Sequence, residues 1–169
     1  MNQLALLIGG NHGDRQSLIQ RATVLIQERI GTVVAASKVY ETEPWGEFEV
    51  KSGERSVENF LNQALLVETS LTAHEVLREA LAIEKEFGRQ RPHLSPSISH
   101  LSPRKYHSRP MDIDIIFYGD AVIDTPDLMV PHPRMHLRRF VLEPLAEIMP
   151  DYIHPLLGKT VKGILEELA

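Results

Sequence analysis

Two aspartates, Asp112 and Asp114, lie in a segment, RPMDIDIIFYGD, whose other residues are typical of a β-strand. Strand interiors disfavour aspartate, and half-buried carboxylates are costly without positive partners. Because side chains alternate along a strand, we expect both carboxylates on one face and Ile113, Ile115 and Phe117 on the other. Their Cα atoms should lie roughly 6.6 Å apart. Two carboxylates at that spacing suit a hard cation such as Mg²⁺, which takes oxygen ligands. Salt bridges to nearby arginines are the alternative.

Two basic segments accompany these aspartates. No acidic residue lies between Glu86 and Asp112, and a second acid-free run, PHPRMHLRR, spans 131–139. The first segment holds Arg89, Arg91, Arg104, Lys105 and Arg109 together with His93, His100 and His107. In a chain of net charge −5, such patches indicate a local polyanion site, with solvated basic loops as the alternative. Metal ions and guanidinium groups together clamp a transferring phosphoryl group, so the combination favours phosphate chemistry.

Glu84 and His132 are further polar candidates. Glu84 falls on or beside the buried stripe of a predicted helix, where a carboxylate normally has a partner or a function. A salt bridge to Arg89 or Arg91 is its alternative. His132 would be a surface turn residue in most proteins, but next to a polyanion site its ring could donate a hydrogen bond to a phosphate.

An aromatic and amide pair could address a flat heterocycle. Asn62 lies two residues after Phe60 and therefore shares its strand face. Core packing is the commoner fate of aromatics such as Phe60 and Phe140. Trp45, the only tryptophan, falls in a polar loop, where an aromatic is more often functional than structural.

The glycines at 9, 10 and 13 join a predicted strand to a predicted helix. Their spacing matches neither a P-loop nor the dinucleotide-binding fingerprint. A tight turn, with Asp14 as the helix N-cap, is therefore favoured over a nucleotide-binding loop.

Composition narrows the class of protein. The chain has 169 residues, 43% of them apolar and none cysteine, so disulfides and cysteine-ligated zinc are excluded. No apolar run reaches 18 residues, and the N-terminus lacks the basic region of a signal peptide. We expect a cytoplasmic protein that binds neither a membrane nor nucleic acid.

The hydrophobic patterns predict one α+β domain over residues 1–169. Strands are predicted at 3–8, 32–42, 56–69 and within 109–120, with a short one at 121–124, and helices at about 15–30, 72–88, 140–148 and 160–168. This order is the ferredoxin-like β-α-β-β-α-β pattern, an antiparallel sheet with helices on one face and C-terminal additions. The segment 89–108 is long enough to suggest a lid.

Six sequence blocks in order resemble the 6-hydroxymethyl-7,8-dihydropterin pyrophosphokinase family. They are LLIGGNHGD, SKVYETEPWG, NFLNQALLVETSL, IEKEFGRQR, SRPMDIDIIFYGD and VPHPRMHLRRFVLEPLAEI. The resemblance implies the ferredoxin-like fold and transfer of pyrophosphate from ATP to the hydroxymethyl group of the pterin, with release of AMP, in folate biosynthesis. We expect a monomer.

The resemblance assigns roles to individual residues. Asp112 and Asp114 would bind two Mg²⁺ ions. The implied ATP contacts are Glu84, Arg89, Arg91, Arg109, Ile115, His132 and Arg138, of which Arg89 and Arg109 would also act in catalysis. The implied pterin contacts are Thr42, Glu43, Pro44, Trp45, Phe60, Asn62 and Phe140. Tyr106 would belong to the lid.

Several positions depart from the family pattern. Gly10 stands where a serine is usual, Glu43 where a proline is common, and His107-Ser108 where Gly-Pro normally precedes the arginine. Tyr106 occupies an aromatic position that is often tryptophan. Two other functions fit parts of the pattern: a non-catalytic ferredoxin-like module that binds nucleotide or RNA, and a metal-dependent phosphohydrolase.

Overall fold

The structure, a computed structural model, describes residues 1–11, 13–42, 59–88 and 111–168. Its strands are β1 (Asn2–Gly10), β2 (Thr32–Ala36), β3 (Tyr40–Thr42), β4 (Phe60–Thr69), β5 (Asp112–Tyr118), β6 (Ile123–Asp124) and β7 (Met129–Val130). Its α-helices are α1 (Arg15–Arg29), α2 (Ala73–Glu86), α3 (Arg139–Ile148) and α4 (Val161–Glu167), with a 3₁₀ turn at Met135–Leu137. None of the helices within these ranges is long and apolar enough to cross a membrane.

The main sheet is antiparallel throughout, in the order β2-β4-β1-β5, and β3 pairs with the same strand as β2. The α+β, ferredoxin-like prediction is thereby confirmed. The run 32–42, predicted as one strand, is two short strands. Ser37 separates them, and its hydroxyl accepts a hydrogen bond from the Ala64 amide at 3.0 Å. That side-chain bond replaces a ladder bond where the chain bends.

Side-chain caps fix where the first two helices begin. The Asp14 carboxylate accepts from the Ser17 amide at 3.3 Å, which confirms it as the N-cap of α1. At α2, the Thr72 hydroxyl accepts from the Glu75 amide, and the Glu75 carboxylate accepts from the Thr72 amide. This capping box satisfies donors that the helix itself leaves unpaired.

One face of the sheet packs against α1 and α2. Its core includes Leu4, Leu6 and Ile8 of β1, and Ile26 and Ile83 from the two helices, each no more than 1% exposed. We call this the α1/α2 cluster. Period-two alternation in the strand and period-3.6 spacing in the helices bring these side chains together.

The other face is also covered, contrary to the expectation of helices on one face. Ala5 and Leu7 of β1 pack there with Leu142 and Leu145 of α3 and with α4. We call this the α3/α4 cluster. The C-terminal additions therefore complete a second core layer, because an antiparallel sheet with apolar residues on both faces must bury both.

A bulge in β5 breaks the alternation that the sequence suggested. Leu6 is paired with Ile115 but Ala5 with Phe117, so Ile116 is the extra residue. Phe117 consequently lies in the α3/α4 cluster, its ring 4.4 Å from that of Tyr152, and not on the face of Ile115. The prediction for Phe117 was wrong because a bulge shifts every later side chain to the opposite face.

The first strand is longer than predicted. It runs through Gly9 and Gly10, which were expected in a turn, and Asn11 after them is buried. The extension places Gly9 within the sheet at the end where β4 and β5 begin.

Candidate active site

One row of residues crosses the sheet at the end where β1 finishes. Gly9 is paired with Asp112 on one side and with Asn62 on the other, and Asn62 is paired with Tyr40. The Cα atoms of Asp112 and Asn62 are separated by two strand spacings, about 10 Å. Since directly paired residues point to the same face, a carboxylate and an amide that were predicted separately share one face and one end of the sheet.

The missing side chain at Gly9 determines where the Asn62 amide lies. A Cβ at Gly9 would stand 2.6 Å from Asn62 Oδ1 and 2.2 Å from the Leu61 carbonyl oxygen. Asn62 is only 6% exposed, and its Nδ2 group donates to Thr42 Oγ1 at 3.2 Å. The amide is therefore held across β1 with its oxygen above the glycine.

Asp112 and Asp114 are half-buried on the sheet face that carries the α3/α4 cluster. In the pairing of β5 with β1, Asp112 is paired with Gly9 and Asp114 with Leu7. Ile113 and Ile115 point to the α1/α2 cluster. The structure therefore confirms the predicted alternation for residues 112–115, because the bulge in β5 comes after Ile115.

An open cleft of about 330 Å³ lies along the edge of β5. Its walls are Leu77, Leu81 and Glu84 from α2, Asp112 to Ile115 from β5, Thr125 to Met129 from the β6–β7 hairpin, and His132 with Pro133. The leucines and Met129 are apolar lining, and the carboxylates and His132 are polar lining. Asp112 belongs to this cleft and also to the row that contains Asn62.

Glu84 is 2% exposed and lies beside the β5 edge. Its Oε2 atom accepts a hydrogen bond from the Ile113 amide at 3.0 Å. The carboxylate thus satisfies an outward-facing amide of an edge strand, a group that would otherwise be costly to bury. The proposed alternative, a salt bridge to Arg89 or Arg91, concerns arginines outside the described residues.

The His132 ring is neutral at physiological pH. Burial, reinforced by the positive charge of Arg138, lowers the pKa of His132 from 6.5 to about 4, and the Asp112 carboxylate only partly opposes this. Nδ1 accepts from the Arg134 amide at 3.3 Å. The proton of the neutral ring therefore sits on Nε2, which leaves an N–H donor for a ligand.

The remaining predicted residues with described positions lie near the same sheet end. Arg138 precedes α3, with its guanidinium 5.6 Å from the centre of the Phe140 ring. Phe140 packs against the α3/α4 cluster, and Phe60 shares the face of Asn62 by strand alternation. The predictions for Glu43, Pro44, Trp45, Arg89, Arg91, Tyr106 and Arg109 fall outside the described residues.

Sequence reasoning missed three parts of this site. Leu77 and Leu81, which were not predicted as site residues, are half-buried and line the cleft, and Leu77 also packs against the α1/α2 cluster. Their spacing with Glu84, at i, i+4 and i+7, is the signal that one helix stripe faces the cleft. No sequence pattern indicated the role of Gly9 or the hairpin wall at 125–129. Both depend on contacts with residues far away in the sequence.

The carboxylates suit magnesium held jointly with a substrate. Among the described residues, no group of three or more histidine, aspartate and glutamate side chains is arranged to hold a metal by itself. Asp112 and Asp114 nevertheless offer oxygen ligands on one face. Mg²⁺ is commonly bound through one or two carboxylates, with waters and substrate phosphates completing its shell.

Comparison with known sequences gives consistent matches. The family described as 7,8-dihydro-6-hydroxymethylpterin-pyrophosphokinase matches residues 5–150. The 2-amino-4-hydroxy-6-hydroxymethyldihydropteridine pyrophosphokinase of Aquifex aeolicus is 38% identical over 167 residues, which cover 99% of this chain and 92% of that protein. The enzyme of the same name from Porphyromonas gingivalis is 37% identical over 151 residues, covering 89% and 92% respectively.

Solved structures show the same fold. A wild-type HPPK-DHPS chain of Plasmodium falciparum, solved with pteroate, aligns with a TM-score of 0.67 over 98% of this chain at 16% identity. This chain spans 42% of the length of that structure's chain.

Proposed function

This chain belongs to the 7,8-dihydro-6-hydroxymethylpterin-pyrophosphokinase family, and from that premise we propose that it transfers pyrophosphate from ATP to the hydroxymethyl group of 6-hydroxymethyl-7,8-dihydropterin in folate biosynthesis. The family predicted from the sequence blocks is confirmed. One observation supports assigning ATP to the cleft and the pterin to the row that contains Asn62. Asp112 is shared by the cleft along β5 and by the row that holds Asn62, so two ligands would meet at this carboxylate.

The cleft suits the nucleotide. Its apolar lining, which includes Leu77 and Met129, would suit a flat base, and its polar lining provides groups for a phosphate chain. His132 would donate from Nε2 to a phosphate oxygen, and Arg138 would add positive charge. The full set proposed for ATP is Glu84, Arg89, Arg91, Arg109, Ile115, His132 and Arg138.

The row beyond Asp112 suits the pterin. The Asn62 amide nitrogen donates to Thr42, and its oxygen would accept from ring N–H donors. Phe60 and Phe140 would stack on the two ring faces. Glu43, Pro44 and Trp45 complete the proposed set.

Two Mg²⁺ ions are proposed at Asp112 and Asp114, whose carboxylates fit the preference of magnesium for oxygen ligands. When bound, the ions would neutralise the triphosphate charge and acidify the acceptor hydroxyl. The protein needs no dedicated base in this scheme, which is consistent with phosphoryl transfer depending mainly on positioning and electrostatics.

The proposed reaction is an in-line displacement at the β-phosphorus of ATP. The hydroxymethyl oxygen attacks the β-phosphorus of ATP, the bond between the β-phosphorus and the bridging oxygen breaks, and AMP leaves with that oxygen. The hydroxyl proton passes to solvent. Asn62 and Phe140 would orient the acceptor, and Arg89 and Arg109 would stabilise the charge that develops on the phosphates.

The deciding experiment incubates the protein with ATP and Mg²⁺, with and without hydroxymethyl-dihydropterin, and assays the nucleotides formed. AMP that requires the pterin supports the proposal. ADP, or phosphate released without pterin, would favour a phosphohydrolase, and nucleotide binding without turnover would favour a non-catalytic module. The proposed monomer is tested by light scattering, and the proposed cytoplasmic location by cell fractionation.

Removing either aspartate separates the metal assignment from the fold. We expect Asp112→Ala and Asp114→Ala each to lower kcat at least about a thousandfold, because the phosphate charge would lose its counterion site. Circular dichroism should be unchanged, since both side chains are half-buried and not in the apolar core. Near-normal AMP formation by either variant would refute the two-ion site.

A further inference from the structure

His74 joins the two walls of the cleft described above. It is the second residue of α2, about one turn before the cleft residue Leu77 and two turns before Leu81. Its Nε2 atom lies 3.2 Å from Thr125 Oγ1 and 3.3 Å from Asp127 Oδ1, and both partners line the opposite wall. No other part of the proposed reaction uses this contact.

The direction of these hydrogen bonds follows from the chemistry of Asp127. Its carboxyl pKa is lowered, chiefly by the hydrogen bond from the Thr125 hydroxyl, so the group is ionised and only accepts. Nε2 of His74 must therefore carry the proton. This single N–H lies within hydrogen-bond distance of two acceptors, Asp127 Oδ1 and Thr125 Oγ1.

The turn that His74 contacts is closed by its own hydrogen bonds. Thr125 and Leu128 exchange backbone hydrogen bonds of 3.0 and 3.3 Å, and the Thr125 hydroxyl reaches both Asp127 Oδ1 at 2.8 Å and the Leu128 carbonyl at 3.0 Å. These bonds connect Asp127 to Thr125 and, through it, to Leu128. Leu128 is buried in the α1/α2 cluster and supplies the turn's other anchor.

The hairpin beyond this turn is small. Strands β6 and β7 pair at only two positions, Ile123 with Val130 and Asp124 with Met129. Met129 lines the cleft, and β7 leads directly into His132. Because so short a ladder gives little stability of its own, the wall is held by its contacts with the rest of the fold. On the β7 side, Val130 is buried in the α1/α2 cluster and the His132 amide donates to the Ile116 carbonyl at 3.0 Å. The His74 contact connects the turn before β7 directly to α2.

We propose that His74 is a positioning residue for the nucleotide: by binding Thr125 and Asp127 it holds the hairpin wall against α2 and keeps the cleft at the width that ATP requires. The inference rests on the proposed function for the identity of the ligand. Nothing in it requires His74 to touch the nucleotide or the reacting atoms.

The test is the Kd of Mg²⁺–ATP by calorimetry without pterin, together with steady-state kinetics. For His74→Ala we expect Kd and KM for ATP to rise about three- to tenfold, the range expected for losing one or two hydrogen bonds from a pre-organised site. The kcat and the KM for pterin should stay within about twofold, because the reacting groups are untouched. His74→Gln, which retains an N–H donor, should recover most of the affinity.

Two controls make the result specific. Gln16 is exposed and occupies the same second position in α1, so Gln16→Ala should leave all constants unchanged. Asp127→Ala should weaken ATP binding to a similar extent, and the double variant His74→Ala/Asp127→Ala should be no weaker than either single one. Additive losses would mean that the residues act separately and would overturn the proposal.

Failure of the inference is distinguishable from failure of the proposed function. Unchanged Kd in His74→Ala, or a loss confined to kcat, overturns the role of His74 even if the wild type makes AMP from pterin and ATP. A wild type without pterin-dependent AMP formation refutes the proposed function, whereas the comparison of Mg²⁺–ATP affinities still decides the role of His74.

Discussion

At the scale of single residues, the position of Asn62 depends on the absence of a side chain at Gly9. Gly9→Ala would place a Cβ 2.2 Å from the Leu61 carbonyl oxygen and 2.6 Å from Asn62 Oδ1. Neither contact is tolerated, so β1 and β4 must separate or the amide must turn away. We expect a loss of about 1–3 kcal/mol in the free energy of unfolding, typical of overpacking, and at least a tenfold rise in the KM for pterin.

The control for Gly9→Ala is a glycine outside the site whose replacement also strains the backbone. Gly158 has a φ of +67° with no atom within 4 Å of a Cβ position. Gly158→Ala should cost about 1 kcal/mol through the left-handed backbone while leaving the KM for pterin unchanged. An equal effect of the two variants on that KM would show that general destabilisation, and not the Asn62 amide, is responsible.

His132 gives the molecule a defined pH dependence. Its folded-state pKa of about 4 lies below the ordinary value of 6.5, so between these values the unfolded chain binds more protons than the native one. Stability is therefore full above about pH 6.5 and falls as the pH drops toward 4, by on the order of 3 kcal/mol over the whole window.

The pH contribution of His132 is measured by urea unfolding of the wild type and His132→Asn at pH 7.5 and pH 5. Asparagine can still accept from the Arg134 amide but does not titrate in this range. His154, whose pKa burial also lowers, is present in both proteins and cancels in the comparison. Equal losses of stability on acidification would contradict the assignment to His132.

Several site residues were predictable one at a time, and the reason is local. Alternation alone put Asp112 and Asp114 on one face, and the same rule joined Phe60 to Asn62. The function of Gly9 was not predictable, because it arises from a neighbour 53 positions away in β4. Spacing within one strand or helix predicts which residues share a face. A contact between two strands depends on the register of the sheet, which the spacing does not give.

At the scale of elements, helix α3 is tied to the sheet through Glu147. The Lys38 amide donates to Glu147 Oε2 at 2.6 Å, and the pKa of the Tyr40 hydroxyl is raised by burial and then by the charges of Glu147 and Glu143. Glu147→Ala should lower the free energy of unfolding by about 1 kcal/mol, because the Lys38 amide loses a charged acceptor. Since α3 also carries Phe140, the KM for pterin should rise severalfold.

Glu143 on the same helix provides the matched control. It forms an i, i+4 pair with Arg139 at 2.6 Å, with the arginine side chain 58% exposed. Exposed pairs of this kind contribute little, so Glu143→Ala should change stability by no more than about 0.5 kcal/mol. Thermal unfolding of both variants measures the difference. If Glu143→Ala were the more damaging, the tether through Glu147 would be the wrong explanation for the position of α3.

Element starts were predicted better than element shapes. The predicted starts of α1 at about 15 and of α2 at about 72 agree with the structure, because a cap is a short-range contact between a side chain and the next turn. The bulge at Ile116 and the bend at Ser37 were missed, since both exist to fit one strand to its neighbour. Helices α3 and α4 were each predicted, but their packing on the second face of the sheet was not.

At the scale of the whole molecule, the sheet brings separate stretches of sequence to one end. Thr42, Phe60 and Asp112 are the last or first residues of three strands, and Gly9 lies among them. Hydrophobic pattern predicted the order of strands along the chain and, from it, the ferredoxin-like sheet. It did not predict which residues of neighbouring strands are paired, because the register depends on contacts between distant parts of the chain.

The charge distribution of the assembled site predicts how ligands stabilise the protein. Glu84, Asp112 and Asp114 all border the cleft, so ATP without a divalent cation would bring its phosphates against carboxylates. We expect ATP with Mg²⁺ at about a hundred times its Kd to stabilise the folded chain by about 2.7 kcal/mol, seen as a rise in Tm. With EDTA, ATP should produce almost no rise, and Asp114→Ala should show a smaller rise than the wild type with Mg²⁺–ATP. Magnesium sulfate alone controls for any general effect of the cation. An equal rise with ATP in EDTA would mean that the arginines alone offset the phosphate charge, and the aspartates would then need a role other than holding magnesium.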